Sequence, residues 1–273
     1  MEGPITNALT IDTEDWFQVF YGSGNITRAD WPRLESRISA MVDRSLDLLA
    51  ESGAKATFFV VGWIAERDPA LVRRIAAQGH EIGSHSYWHT EVFRQAPGEF
   101  AEDVKRSKDS LEQAIGASVH GFRAPGYSIR REDEWALDVV LQAGHRYDSS
   151  LLHATVPVSE VRPGLVEVAP NALRAGGRNL PSNGGFFFRM MPYPLYRAYV
   201  GHLNRQGVPL VFYTHTWEIE VEYPRIPMPP VRRFVQYANL GAVAGKLRRL
   251  IADHRFAPIG TILEARGRAQ PAS

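Results

Sequence analysis

Short apolar runs alternate with amphipathic helical patterns along the first half of the chain. Four of these runs are predicted to be strands, at residues 8–12, 56–62, 80–85 and 119–123. After each run, apolar residues recur at helical spacing, and the predicted helices end at Gly53, Gly79, Gly116 and Gly144. This alternation indicates successive βα units, which assemble into a parallel sheet or barrel.

The pattern is less regular beyond Tyr147. Pro, Gly and Asn cluster through residues 157–185, which predicts loops and short strands. Phe186, Phe187 and Phe188 fit a core strand better than a ligand platform. The remaining predicted elements are a helix near 196–206, a strand at 209–214, an extended proline-rich segment at 221–230, a helix at about 243–254 and a short strand at 259–263.

These units predict an α/β fold, namely a distorted or incomplete (β/α) barrel of about seven strands. We expect the barrel to span residues 1–220, with a C-terminal extension, residues 221–273, packed on it. A chain of 273 residues that is 44% hydrophobic can bury a core of that size.

Composition and charge narrow the possible partners. Lys and Arg total 31 against 30 for Asp and Glu, so nothing in the net charge indicates nucleic acid or an anionic membrane surface. The chain has no cysteine, so any metal must be held by imidazole and carboxylate groups. The N-terminus lacks the pattern of a signal peptide, and no apolar run is long enough to span a membrane, which predicts a cytoplasmic location. Oligomeric state stays open.

Three carboxylates, Asp12, Glu14 and Asp15, follow the first predicted strand. In parallel α/β folds, functional groups collect where strands end. Carboxylates crowded at the end of a buried strand repel one another unless a cation or an arginine neutralises them. The alternative is a solvated turn that also caps a helix.

Two histidines, His85 and His89, follow the third predicted strand. If the residues after His85 turn helically, side chains four positions apart share one face and both imidazoles reach a single ion. A lone histidine is more often a core or surface residue, but this spacing together with the carboxylates favours a metal site.

Two further clusters end later strands. Arg123 precedes a turn through Gly126 and Tyr127, which places a guanidinium near a carboxylate and backbone N–H groups near a developing oxyanion. The alternative is an ordinary turn with a surface arginine. His215 ends the most apolar strand of the second half, where it is either a functional group or a satisfied core residue.

Aromatic residues crowd the same loops. They are Trp16, Phe17, Phe20, Tyr21, Trp31, Trp88, Tyr127 and Trp217. Such rings either stack on sugars or cover the mouth of the barrel.

The ordered set of these clusters resembles the NodB-homology polysaccharide deacetylases. The set comprises Asp12, H-S-x-x-H at His85, R-x-P at Arg123 with a nearby Tyr, the pair Asp148-Ser149, and a late strand ending in His215. The likeness covers about residues 5–220. The C-terminal part, with GGFFFRMMP and YTHTWEIE, further resembles the cytoplasmic subgroup encoded with bacterial exopolysaccharide biosynthesis loci.

The resemblance implies a metal-dependent hydrolase that removes N-acetyl groups from an amino sugar. Asp12 would be the general base, oriented by Arg123, and His215 would be the acid that protonates the leaving amine. His85 and His89 would ligate a divalent ion, zinc first, with cobalt, manganese and iron as alternatives. The predicted substrate and oxyanion contacts are Gly126, Tyr127 and Trp88.

The chain departs from the family pattern in two places. The family commonly has two adjacent aspartates at the first motif, whereas Thr13 follows Asp12, so the third ligand is Glu14 or Asp15. We favour Glu14, because alternate residues of a strand point the same way. The extra Gly126 leaves the identity of the oxyanion donor open.

Two other functions fit the same residues. Allantoinase-like relatives share the barrel, so a cyclic amide is an alternative substrate. The second alternative is a non-catalytic glycan-binding module, although binding alone needs neither the base Asp12 nor the acid His215.

Overall fold

A computed structural model of the chain describes residues 5–19, 26–152, 158–175 and 178–269. The predicted loop aromatics Phe20 and Tyr21 lie outside the described residues. The strands are β1 (Asn7–Thr13), β2 (Thr57–Val60), β3 (Glu81–Ser84), β4 (Gly121–Phe122), β5 (Tyr147–Asp148), β6 (Val158–Arg162), β7 (Leu165–Val168), β8 (Ala172–Ala175), β9 (Arg178–Pro181), β10 (Val211–His215) and β11 (Phe256–Ala257).

Among the described residues, nine of these strands form one curled sheet. Its path runs β10-β1-β2-β3-β4-β5-β7-β6, and β11 also pairs with β1. The pairings are parallel except that between β6 and β7, while β8 and β9 form a separate antiparallel hairpin. The predicted incomplete barrel is confirmed, with nine strands in place of about seven.

Helices cover the sheet between its strands. They are α1 (Ile38–Ser52), α2 (Gly62–Arg67), α3 (Pro69–Ala77), α4 (Pro97–Ile115), α5 (Trp135–Gln142), α6 (Gly185–Met190), α7 (Tyr193–Arg205), α8 (Thr216–Ile219), α9 (Pro230–Tyr237), α10 (Val243–Asp253) and α11 (Ile259–Ala269). The predicted helix ends at Gly53 and Gly116 are confirmed, because both glycines have the left-handed backbone of a helix C-terminus.

Two predicted strands are helices in the structure. Phe186, Phe187 and Phe188 lie in α6. The preceding Gly184 lies so close to β10 that a Cβ there would be 1.8 Å from the Tyr213 carbonyl oxygen. Phe188 is buried against Phe212 of β10, with ring centroids 4.9 Å apart. The three consecutive rings therefore point in different directions, as they must on a helix.

The predicted strand 259–263 begins α11 instead. Its first N–H groups find acceptors from the sheet, since the N–H of Ile259 donates to Thr57 Oγ1 (2.9 Å) and that of Gly260 to Glu81 Oε2 (3.0 Å). These acceptors are remote in sequence, so the local apolar pattern alone indicated the wrong element.

The largest buried core lies between the sheet and its helices. Leu9 and Ile11 of β1 pack there with Val42 of α1, and Leu247 and Leu250 of α10 belong to the same cluster. Residues after 221 therefore pack on the barrel and, through β11, join its sheet. The domain boundary at residue 220 stays a prediction. No helix within the described ranges combines the length and apolar character that a membrane span requires.

Candidate metal centre and active site

The C-terminal ends of β1, β3, β4 and β10 meet around one cavity of about 390 Å³. Parallel strands direct their carboxyl ends to the same edge of a sheet, which brings these four sequence clusters together. Asp12 and His215 are direct partners in the β1–β10 register. The cavity is lined by Asp12, Glu14, His85, His89, Gly126, Tyr127, Phe186, Arg189, Tyr213, His215, Trp217 and Glu218, among others.

The three clustered carboxylates face different partners. Asp12 and Glu14 both line the cavity, as residues two apart on a strand should. Asp15 is buried elsewhere, where it accepts hydrogen bonds from the Ser36 hydroxyl and from the Arg37 N–H at the start of α1. Burial raises the pKa of Asp15 to about 6. The structure thus brings Glu14, and not Asp15, to the histidines.

Glu14, His85 and His89 form a compact cluster. One ligand atom from each lies within 4.8 Å of the other two, and the Glu14 carboxylate contacts His89 Nε2. His85 Nδ1 bonds the Arg123 carbonyl oxygen at 2.8 Å, so Nε2 is the nitrogen left for a ligand. Two imidazole nitrogens and a carboxylate oxygen suit zinc and its neighbours, with a backbone carbonyl orienting the ring as in known metal sites.

The electrostatics of His85 and Glu14 favour metal binding. Burial lowers the pKa of His85 to about 4, which leaves its imidazole neutral and its lone pair available. Burial works against ionisation of Glu14, but the nearby His89, His215 and His85 outweigh it, and the pKa of Glu14 falls well below its usual range. Trp217 Nε1 donates to Glu14 Oε1 at 2.9 Å and fixes the carboxylate.

The spacing of the two histidines suggested a helical turn, but the two rings converge without one. Ser86 and His89 have positive φ angles of 60° and 51°, and the segment between them is a tight turn. Asp103 of α4 holds this turn by accepting from the N–H groups of Tyr87 (2.7 Å) and Trp88 (2.9 Å). A carboxylate remote in sequence therefore stabilises a backbone that local spacing does not encode.

Trp88 lines a different cavity, of about 1090 Å³. There the indole lies 5.0 Å from the guanidinium of Arg28 and 5.7 Å from that of Arg106. That Trp88 borders the substrate stays a prediction.

Asp12 and Arg123 form a fully buried ion pair. Arg123 Nη1 donates to Asp12 Oδ1 at 2.7 Å, while its Nε and Nη2 donate to the carbonyl (3.1 Å) and hydroxyl (2.8 Å) oxygens of Ser149. The second carboxylate oxygen, Oδ2, lies 4.0 Å from His215 Nε2. The Arg123 guanidinium therefore holds the Asp12 carboxylate in one orientation.

His215 is held by a second buried pair. Its Nδ1 lies 2.9 Å from Glu218 Oε2, and the other carboxylate oxygen of Glu218 lies 2.9 Å from Arg189 Nε. Burial opposes the charged imidazole, but the carboxylate of Glu218 outweighs it and raises the pKa of His215 to about 9. The ring stacks on Trp217 and directs Nε2 toward Glu14, 3.8 Å away.

The turn after Arg123 places Tyr127 at the cavity. Gly126 and Tyr127 have positive φ angles of 63° and 53°. The Tyr127 N–H, one predicted oxyanion donor, already donates to the Ala124 carbonyl at 3.2 Å. Its buried hydroxyl has no hydrogen-bond partner among the described residues, and burial raises the pKa of this phenol well above its usual value. Tyr127 therefore offers a hydroxyl donor.

Sequence reasoning assigned no role to Glu218 and Arg189. For Glu218 a local signal existed, since it follows His215 by three residues and accepts from the His215 N–H (3.1 Å) as in a capping box. Arg189 carried no such signal, because α6 was predicted as a strand and its partner is remote in sequence. Asp103 was also overlooked, because the N–H groups that it accepts from, those of Tyr87 and Trp88, are remote in sequence.

Comparison with protein-family models divides the chain into two matched regions. The polysaccharide deacetylase model matches residues 26–147, and a model described as a domain of unknown function (DUF3473) matches residues 147–264. His85 and His89 fall in the first region and His215 in the second, whereas Asp12 and Glu14 precede both. The cavity is thus built from both regions and from β1.

Curated relatives match less than half of this chain. A chitooligosaccharide deacetylase of Bradyrhizobium sp. is 29% identical over 131 residues, which are 48% of this chain and 57% of the relative. A peptidoglycan-N-acetylglucosamine deacetylase of Bacillus cereus is 32% identical over 114 residues, which are 41% of this chain and 40% of the relative. The chain therefore spans about half the length of these relatives or less.

Comparison with solved structures extends the likeness to the whole fold. A Mycobacterium smegmatis protein named as a candidate polysaccharide deacetylase superposes with a TM-score of 0.67, covering 100% of this chain and 96% of that one. At 21% identity, this likeness shows a shared fold.

Proposed function

We propose that this chain is a metal-dependent N-deacetylase. The premise is that it belongs to the polysaccharide deacetylase family, which the family model and the curated relatives support. Its substrate would be an N-acetylated amino sugar of the N-acetylglucosamine type, within a polysaccharide, an oligosaccharide or a precursor. The observation that carries the proposal is the convergence of Glu14, His85 and His89 beside the Asp12–Arg123 pair and His215. Such a set serves hydrolysis of a carbon–nitrogen bond.

Glu14, His85 and His89 would hold the divalent ion. Bound there, the ion would supply Lewis acidity toward the acetyl carbonyl and a more acidic water. Zinc is our first choice because its usual ligands are imidazole and carboxylate, while cobalt, manganese and iron(II) accept the same donors.

The remaining steps belong to side chains of the cavity. Asp12 takes a proton from the attacking water, whose oxygen adds to the acetyl carbon. Arg123 orients Asp12 for this role, and the Tyr127 hydroxyl donates a hydrogen bond to the oxygen that becomes negative. His215 then gives its proton to the sugar nitrogen as the carbon–nitrogen bond breaks, which releases acetate and the free amine.

Acetate release provides the test. We expect metal-loaded protein to release acetate from N-acetylated chitooligosaccharides, to stop when a chelator is added, and to recover when zinc is restored. Failure to release acetate from any N-acetylated sugar would count against the proposal. Ring opening of allantoin would instead identify cyclic amides as the substrates. Glycan binding without turnover would indicate a binding module.

The exopolysaccharide subgroup and the cytoplasmic location stay predictions. The subgroup is supported by the sequence likeness of the C-terminal part, including the segments that contain Arg189 and His215. Deletion of the coding region, followed by measurement of exopolysaccharide acetylation, would test it.

A further inference from the structure

An apolar groove of about 560 Å³ opens beside the catalytic cavity. Its walls come from α6 and the start of α7, namely Phe186, Phe187, Met190, Met191, Pro192 and Leu195. None of these six side chains carries a charge or a hydrogen-bond donor, and Tyr213 contributes the one hydroxyl among the lining residues. A ligand seated here must therefore be apolar, since polar groups would lose water without gaining a partner.

The groove adjoins the catalytic cavity and shares lining residues with it. Pro181, Phe186 and Tyr213 line both, so a molecule whose sugar occupies the cavity can extend directly into the groove. Phe186 also packs against Phe234 of α9, with ring centroids 5.8 Å apart. This contact holds the Phe186 ring that both spaces share. This shared wall argues for one ligand that occupies both spaces.

Two large apolar side chains of the groove are exposed. Leu195 is 60% exposed and Met190 is 39% exposed. Two methionines suit a flexible chain better than a rigid ring, because their unbranched side chains adapt to changing shapes.

We propose that this groove receives an apolar chain attached to the amino sugar. The substrate class is then an N-acetylated glycolipid, with the acetamido group in the catalytic cavity and an alkyl or isoprenoid chain against Phe187, Met190 and Leu195. This inference rests on the proposed function, because it assigns the neighbouring cavity to the sugar.

The test compares aglycone lengths in the metal-loaded full chain. The probes are the methyl, butyl and hexyl β-glycosides of N-acetylglucosamine, which share the sugar and differ only in the chain. Each methylene that leaves water tightens binding by about fourfold, so kcat/KM for the hexyl glycoside should exceed that for the methyl glycoside by at least about tenfold. Equal values for the three probes would overturn the proposal.

A matched pair of variants locates the effect. Leu195→Glu places a charge in the groove and should remove the advantage of the hexyl glycoside while turnover of the methyl glycoside stays at the parent level. Leu173→Glu changes another exposed leucine, 45% exposed and outside the groove, and should keep the advantage. Leu195→Met keeps the position apolar and should retain the advantage, while parent-level turnover of the methyl glycoside by Leu195→Glu excludes a folding defect.

Calorimetric binding separates this proposal from the proposed function. If no probe is hydrolysed, the proposed function fails, yet tighter binding of the hexyl glycoside that Leu195→Glu abolishes would still support the groove. Other occupants give distinct results, each without chain-length dependence. A dimer that Leu195→Glu dissociates in sedimentation would assign the groove to a second copy, and vesicle binding lost in that variant would assign it to a bilayer; either overturns the proposal.

Discussion

The two sides of the cavity give their histidines different hydrogen-bond partners and opposite pKa shifts. On the side built from residues 26–147, His85 Nδ1 meets a backbone carbonyl, that of Arg123, at 2.8 Å. On the side built from residues 147–264, His215 Nδ1 meets the carboxylate of Glu218 at 2.9 Å. Burial lowers the pKa of His85 to about 4, whereas the Glu218 carboxylate overcomes burial and raises the pKa of His215 to about 9.

The difference shows how one residue type acquires two roles. A carbonyl acceptor orients an imidazole without charging it, so His85 keeps a lone pair for a metal. A carboxylate acceptor stabilises the imidazolium, so His215 keeps a proton to donate. Under the proposed function, the partner of Nδ1 would decide whether each ring serves as metal ligand or as acid. The following variants test that comparison.

Removing His85 should have the largest effect. We expect His85→Ala to lose its metal and to lower kcat/KM by about 10³-fold or more, because the ion supplies several kcal/mol of transition-state stabilisation. The matched variant His215→Ala should retain the metal. Mass-spectrometric metal analysis of both proteins checks this, and equal metal loss in the two would remove the distinction between them.

Removing His215 should have a smaller effect that depends on the leaving group. His215→Ala should lower kcat for an N-acetyl sugar by about 10²-fold, since the amine must leave without a donated proton. Turnover of 4-nitrophenyl acetate should fall much less, because its leaving group needs no proton. An equal loss for amide and ester would contradict the role of acid.

Changing the partner of His215 should alter the pH dependence. Under the proposed function protonated His215 is the active form, so we expect activity below a pKa of about 9 and its loss as the pH rises through that value. Glu218→Gln removes the carboxylate that raises the pKa of His215. The alkaline limb of the kcat/KM profile should therefore move to lower pH. Along that limb, kcat/KM should fall about tenfold for each further pH unit, because the protonated fraction of His215 falls by that factor. A pH–rate profile locates the limb, and a thermal melt controls for folding. An unmoved limb would show that Glu218 does not set the proton affinity.

The smallest effect is expected at Asp15. Asp15→Asn should leave metal content and activity within about twofold of the parent, because Asn accepts helix N-terminal N–H groups nearly as well as Asp. Its neighbour provides the contrast, since Glu14→Gln should weaken metal binding. Should Asp15→Asn lose the metal while Glu14→Gln keeps it, the ligand assignment would reverse.

Much of the fold could be predicted, because strand and helix patterns are local. The βα alternation predicted the parallel sheet, and the period of two along β1 correctly grouped Asp12 with Glu14 at the cavity. Errors arose where a distant group decided the element. Phe186 to Phe188 were predicted as a strand, but close packing of Gly184 on β10 makes the segment a helix start.

The sequence by itself determined which chemical groups stand at the strand ends, since covalent order and side-chain periodicity are written in it. The tertiary structure alone decided how those groups are oriented and charged. Asp103 shapes the turn between His85 and His89, and Arg189 holds Glu218 against His215. The physical reason is that orientation and proton affinity depend on contacts between residues far apart in the chain, which form only when the strands assemble.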